Sequence, residues 1–309
     1  MPSLSLFSST NRLIDLQTPP CGGLLVAEKV IGTETLGRMF EYEIFALSEN
    51  TNLIDFEKLL GKHVTLTFEV GDGSHRYVDG RVAQVGLVGM VDNLVRYRLV
   101  ARPWTWMLTR TADCKIFQEM DIKAILEEVF ADQPDADYDV TSLTGKYQKR
   151  DYCVQYRETD FNFVSRLMEE EGIYYYFRHE KGKHTLVLCD AVSAHKSIGV
   201  LPFLPSGKSP TKGLDYVREW SVSQEIKTGV TALRDYNFET PNVDLLVKLA
   251  LAPSYAESEH EVFDYPGEYC TLAQGDGVVK KRLEEFQVSN EVIVGSGDTR
   301  KMSCGSTFN

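Results

Sequence analysis

RDYCVQYRETDFNFVSRLMEEEGIYYYFRHEKGKHTLVLCD, residues 150–190, reads as strand, capped helix, stop, strand and hairpin return. Tyr152, Val154 and Tyr156 alternate with charged and polar residues, the period of a half-buried strand. Thr159 or Asp160 caps the following helix, since a short side-chain oxygen accepts an orphan N–H of the first turn. Phe163, Val164, Leu167 and Met168 recur at helical spacing, and Gly172 suits the left-handed position that ends a helix. An aromatic strand from Ile173 to Arg178 then turns through Lys181-Gly182-Lys183 into Thr185–Leu188. Glu169, Glu170 and Glu171 occupy the last helical turn, where the helix dipole disfavours negative charge by about 0.3–1 kcal/mol per group. Either they form a solvated acidic face, or they meet cations such as Arg150, Arg157 or those of a partner chain.

Upstream, Gly22 to about Trp106 is β-patterned. Strands are expected over 24–30, 40–47, 64–70, 76–85 and 94–102, with a helical turn over 54–60 and turn residues Gly71-Asp72-Gly73-Ser74. In the last of these strands Val95, Tyr97, Leu99 and Ala101 share one face and Arg96, Arg98 and Arg102 the other, a solvated or interface side of an antiparallel sheet. Asp121 precedes a helical stripe of Ile122, Ile125, Leu126, Val129 and Phe130, stopped by Pro134. Residues 135–149 read as a loop. Downstream, a connector rich in Pro, Gly and Ser spans 195–213; strands are expected over 217–222, 229–238 and 291–294, another begins at 302–308, and a helix covers 276–288. The fold class is α+β, mainly β, with a barrel or sandwich of short strands rather than a parallel sheet.

The length of 309 residues suggests about two domains. A formal charge of −12 argues against nucleic acid and anionic membranes as partners. No segment is apolar over the length needed to span a bilayer, and MPSLSLFSSTNRLIDL lacks the basic and apolar regions of a Sec signal. The six cysteines are scattered without a CxxC pair, a pattern of free thiols in a reducing compartment.

The residues Arg150, Tyr152, Gln155, Tyr156, Glu158, Thr159 and Asp160, followed by Glu169–Ile173, Phe177 and His179, resemble the signature of the VgrG family, the spike and hub proteins of type VI secretion systems. Asp235-Tyr236-Asn237-Phe238 before Pro241, and Tyr265-Pro266-Gly267-Glu268-Tyr269, add two further matches, so the resemblance extends over about 22–308. It implies two antiparallel, tube-like β-barrels with α+β insertions: 1–112 as the first barrel, 113–212 as an α+β domain, 213–240 with 290–309 as an incomplete second barrel, and 241–289 as an insertion. The barrel begun near Asp215 looks unfinished at Asn309, which points to a truncated chain, fragment or split gene. The resemblance further implies a homotrimer with pseudo-six-fold symmetry. Its partners would be a hexameric tail-tube protein, baseplate proteins, effectors and, through a C-terminal needle that these residues lack, a tip protein. It also implies a cytoplasmic protein expelled by the secretion apparatus. A baseplate hub of a contractile prophage tail is the alternative within that class; a hydrolytic effector or a carbohydrate-binding module lies outside it.

No residue pattern marks catalysis. His179 and His184 lie five apart across a hairpin, with Asp190 and His195 beyond, which is poor metal spacing; the histidines are read as surface residues, with no metal or cofactor expected. Asp113-Cys114-Lys115, or Cys153 with His179, would be arbitrary nucleophile–base pairings. Tyr174, Tyr175 and Tyr176 suit core or interface packing better than sugar stacking. The residues expected to brace the hub or meet a neighbour are Arg150, Asp160, Glu169, Glu170, Glu171, Tyr175 and Tyr236.

Overall fold

The computed structural model describes residues 12–49, 54–205, 207, 214–251, 255–257 and 259–309, and over these described residues the chain is mainly β with four α-helices. It divides into two compact units, one of residues up to 216 together with 298–309, the other of 217–297. Part of the 195–213 connector and the N-terminal 1–11 lie outside the described residues.

The first unit opens with six strands: β1 (Ile14–Gln17), β2 (Val26–Thr33), β3 (Glu41–Ser48), β4 (His63–Glu69), β5 (His75–Val91) and β6 (Leu94–Arg102). They form one sheet in the order β1-β4-β5-β6-β3-β2, every pairing antiparallel. The end strands β1 and β2 also touch, so the sheet curls on itself. The expected alternation holds: Tyr42, Ile44, Ala46, Val95, Tyr97, Leu99 and Ala101 are buried inside the curl. On the outer face each arginine of β6 meets a glutamate of β2 or β3: Arg96 with Glu28 at 2.7 Å, Arg98 with Glu43, and Arg102 with Glu41. The arginine face is therefore an ion-paired outer surface.

The α+β part of this unit contains β7 (Ala112–Met120), α2 (Ile122–Ala131), β8 (Tyr138–Ser142), β9 (Arg150–Thr159), α3 (Asp160–Glu171), β10 (Tyr174–Glu180), β11 (Lys183–Cys189) and β12 (Lys196–Ser197), after a short α1 (Phe56–Leu59) between β3 and β4. Asp121 caps α2 through the Ala124 N–H at 3.0 Å, and its apolar stripe is buried as the spacing requires. Two strands were not anticipated. β8 lies inside the stretch read as a loop and pairs parallel with β11; β7 pairs antiparallel with β9. Neither has a clean amphipathic period on its own, because each is defined by a partner far along the chain.

The second unit holds β13 (Tyr216–Gln224), β14 (Val230–Leu233), β15 (Val247–Ala250), β16 (Glu261–Asp264), α4 (Leu272–Gln287) and β17 (Glu291–Asp298), whose first and last strands each end in the first unit. β13 pairs with β17, and β15-β14-β16 form a small sheet with β14 and β16 parallel. Strand β14 stops at Leu233, so Arg234–Phe238 is irregular and not the continuous strand expected. Helix α4 starts a turn earlier than the sequence suggests, with Thr271 and Gln274 forming a reciprocal capping box. Gly275 masks that start in the sequence but is required there: a Cβ on it would sit 2.7 Å from the Tyr269 ring and 2.9 Å from Val247. A last short strand, β18 (Ser306–Thr307), returns to pair with β12 in the first unit.

Candidate assembly site

The stretch 150–190 folds into β9, α3, β10 and β11. Thr159 is the residue that caps α3, accepting from the Asn162 N–H at 3.2 Å. Asp160 follows inside the first turn, nearly buried, where its carboxylate accepts from Gln155 Nε2 at 2.7 Å and from the Thr111 hydroxyl. Gly172 ends the helix in the left-handed conformation at φ 70°, and Ile173 N–H closes onto Met168 O at 2.8 Å.

Two of the three glutamates, Glu170 and Glu171, meet cations of their own chain. Arg150 reaches Glu170 at 2.8 Å and Glu171 at 3.0 Å, and Arg166 holds Glu158 at 2.8 Å with Glu170 at 3.7 Å. These pairs offset the unfavourable charge at the helix C-terminus and tie α3 to β9. Arg157 goes elsewhere, its guanidinium lying over the Tyr156 ring. Glu169 is exposed. Tyr175 is buried and faces the core, while Tyr236 is exposed in the second unit beyond β14.

The strand's polarity is the reverse of the sequence reading. Cys153 and Gln155 face inward, and Tyr152, Val154 and Tyr156 face out. On the paired strand Ile116 lies opposite Val154, and Tyr152 opposite Gln118. Tyr152 at 68%, Ile116 at 67% and Tyr156 at 63% exposure thus form an apolar stripe on the outer side of the β7–β9 ribbon. Gln155 goes inside, where its Nε2 donates to the Asp160 carboxylate and to the Glu158 carbonyl. Ile116 was missed; its only signal was an apolar residue next to another, Phe117, whose inward direction no local pattern decides.

A second cluster was also missed, because it joins residues more than 100 positions apart. The fully buried Asp79 carboxylate accepts from His63 Nδ1 at 2.8 Å, His184 Nδ1 at 2.8 Å and Thr65 Oγ1 at 2.9 Å. Burial pulls its pKa up, but the hydrogen bonds from His184 and His63 more than offset this and hold it below the ordinary carboxylate value. His184 is buried rather than superficial, which corrects the surface reading. The Trp104 N–H donates to its Nε2 at 2.8 Å, so Nε2 carries the lone pair and Nδ1 the proton. His63, Asp79 and His184 lie close enough to hold a cation, yet both nitrogens of His184 are committed and neither offers a metal a lone pair. The cluster is a hydrogen-bond network pinning β10–β11 to β4–β5. His179 likewise departs from the surface reading: it is half-buried with its Nε2 sealed from solvent, and burial lowers its pKa to about 4.

The other residues weighed for chemistry are likewise held in structural roles. Asp190 accepts from the Thr144 and Gly145 N–H groups at 2.8 and 2.6 Å and from the Tyr147 hydroxyl at 2.8 Å. His195 bridges Tyr174 and the Gly305 carbonyl. Burial raises the pKa of the Cys153 thiol, away from a nucleophilic thiolate. Lys115 pairs with Asp132 at 2.6 Å, not with Cys114. Tyr175 and Tyr176 are buried, so they offer no platform for a sugar ring.

The model of the phage tail baseplate hub (GPD) family matches residues 33–309. The type VI secretion system spike protein VgrG1a of Pseudomonas aeruginosa is 39% identical over 303 residues, covering 96% of this chain and 46% of that protein. The chain spans less than half the length of these spike proteins, VgrG1a, VgrG1b and VgrG1c of Pseudomonas aeruginosa. Among solved structures, the tail protein from Neisseria meningitidis MC58 superposes with a TM-score of 0.64 at 12% identity, covering 96% of this chain and 83% of that one. The E. coli c3393 protein, described as a type VI secretion component similar in structure to T4 tail proteins gp27 and gp5, gives a TM-score of 0.54 at 20% identity over 70% of this chain and 56% of its own.

Proposed function

The chain belongs to the phage tail baseplate hub family, and from that premise we propose that it is the hub portion of a type VI secretion spike protein. In this reading three copies associate, the first curled sheet and the second unit's strands supply the tube-like layers, and the ring so formed sits on a hexameric tail tube. The whole assembly is loaded in the cytoplasm and expelled with effectors on sheath contraction. The four-part division into 1–112, 113–212, 213–240 with 290–309, and 241–289 belongs to the same reading.

The observation that carries the assembly role is the outward apolar stripe of Ile116, Tyr152, Val154 and Tyr156. Burying one such side chain is worth about 1.5–3 kcal/mol, so a two-stranded ribbon that leaves this face in water is poised to be covered. Arg150, Glu170 and Glu171, beside it, act as the brace that holds the ribbon's frame. Tyr236 and Glu169 remain available at the surface for neighbours.

We read the chain as non-enzymatic. The carboxylates of Asp79 and Asp190 and both ring nitrogens of His184 are committed to hydrogen bonds, and among the described residues no nucleophile and base stand poised over an open site. A prophage tail hub shares this fold; the much higher sequence identity to the spike proteins favours the type VI role.

The test is complementation of a secretion strain lacking its spike protein, using the full spike gene that carries this hub. The Ile116→Glu, Tyr152→Glu double variant is expected to abolish effector delivery while its melting temperature stays within about 2 °C of the parent, as surface changes normally do. Normal delivery by that variant contradicts the assigned surface.

A further inference from the structure

A cleft of about 300 Å³ opens in the first unit between the β4–β5 turn, strand β10 and the return segment 303–306. Its cationic lining is Arg76, Arg178, Lys196 and Lys301, and among the described residues no aspartate or glutamate lines it. In the whole chain the balance runs the other way, with 45 acidic residues against 33 lysines and arginines. The cleft is therefore a local reversal of the protein's charge, and low-dielectric walls focus such a field.

Two of the four cations are compensated from behind the wall. Arg76 is bound to Glu34, and Arg178 reaches Asp139 at 3.2 Å. Among the described residues Lys301 has only a long ion-pair contact to Asp72, 3.9 Å between half-exposed groups, and the exposed Lys196 ammonium has no ion-pair partner. Lysine ammonium groups on flexible stems serve as point charges for oxyanions. Hydroxyl donors stand in the same wall: Ser74, Tyr77, Ser303 and Ser306. Behind them His179 contributes an imidazole whose buried Nε2 has no hydrogen-bond partner.

The segment that carries Lys301 is itself firmly placed. The Asp215 carboxylate accepts from the Arg300 and Lys301 N–H groups at 3.0 and 2.8 Å. The Cys304 N–H donates to Glu34 at 3.0 Å, and Gly305, at φ 79°, packs its backbone against the Tyr176 ring, where a side chain would collide. The wall is preorganised, which lowers the ordering cost of binding.

We propose that this cleft binds a dianionic oxyanion group through Lys196 and Lys301, either a phosphate or a pair of adjacent carboxylates presented by a polypeptide. A monoanion leaves one ammonium unmatched, while two negative charges match the pair that no carboxylate among the described residues neutralises closely.

The test uses the 309-residue chain with pyrophosphate, inorganic phosphate and a capped Gly-Glu-Glu-Gly peptide, each titrated at about 20 mM salt and followed by NMR or calorimetry. At least one probe is expected to bind with a Kd in the millimolar range or tighter. The Lys196→Gln, Lys301→Gln double variant is expected to bind it about tenfold more weakly, while Lys280→Gln, a matched charge loss in the second unit, leaves binding unchanged. Binding of the phosphates alone identifies a free phosphate compound, binding of the peptide alone an acidic polypeptide, and either upholds the cleft. Failure of all three probes to bind, or equal loss in Lys280→Gln and the double variant, overturns it. Both lysines are surface residues, and an unchanged melting temperature in the double variant confirms that the fold persists.

Discussion

His179 makes the first unit sensitive to acid in a way that can be sized. Its ring packs edge-on against Phe40 at 4.9 Å between centroids, and its Nε2 is sealed from solvent without a hydrogen-bond partner. Burial is the main cause of its lowered pKa; Glu34 and Asp79 pull the value up, His184 and Arg76 push it down, and the result is about 4 against an ordinary 6.5. Between those values the unfolded chain carries a proton on this histidine that the folded chain does not. Stability is therefore unaffected above pH 6.5, falls as pH drops below it, and stops falling from this source below about 4. At about 1.36 kcal/mol per pH unit the full interval is worth about 3 kcal/mol, and screening at the ring's exposed edge reduces this to about 2 kcal/mol. For a unit of this size that corresponds to a fall in Tm of about 4–8 °C. The assay is thermal unfolding at a series of pH values from 7.5 to about 4, for the parent and His179→Gln. The glutamine keeps a polar side chain but does not titrate, so its Tm should fall less steeply over the acid limb, whatever its value at pH 7. Parallel Tm–pH curves for the two proteins would refute the reasoning.

Other perturbations follow from the same contacts. Asp79→Ala strands the buried Nδ1–H of His184 and the Thr65 hydroxyl and should cost about 3–5 kcal/mol by urea denaturation, whereas Asp79→Asn, which keeps an acceptor oxygen, should cost less than half of that. Arg150→Glu replaces two attractive contacts with repulsion from Glu170 and Glu171. It should lower stability by about 1–2 kcal/mol in low salt, and raising the salt concentration in the same melt should shrink the difference. Gly275→Ala would gain up to about 1 kcal/mol of helix propensity, but its methyl would press on Tyr269 and Val247 at under 3 Å. A net loss of about 1–2 kcal/mol in the second unit, read by hydrogen exchange of α4, is expected.

The sequence made the local chemistry of the fold legible and left the long-range pairing hidden. Thr159, Gly172, Asp121 and the stripe of α2 announce their helices because capping and 3.6-residue periodicity act within a few residues. The same holds for β3, β4 and β6, whose alternation matches the burial seen in the curled sheet. Strand β9 shows the limit. Both of its faces offer plausible core residues, and only the Gln155–Asp160 bond and the β7 partner decide that the tyrosines face outward. His184 reads as a surface residue in the sequence because the carboxylate that justifies its burial, Asp79, lies 105 positions away. Asp79 and Gly80 lie in mid-strand, as the expected strand over 76–85 has them; the missing side chain of Gly80 leaves room for the Phe40 ring 3.1 Å from where a Cβ would stand. The brace residues Arg150, Glu170 and Glu171 were legible as charges in the right turn, but not as partners of one another in preference to a neighbouring chain.

The central claim, that the outward face of the β7–β9 ribbon is an assembly surface of a hub protomer, is tested most directly by the mass in solution of the full spike protein that carries these residues. Light scattering should give three protomers for the parent and one for the Ile116→Glu, Tyr152→Glu variant, with both retaining the same melting profile for the hub. A parent protein that stays monomeric at every concentration, or a double variant that remains a trimer, would contradict it.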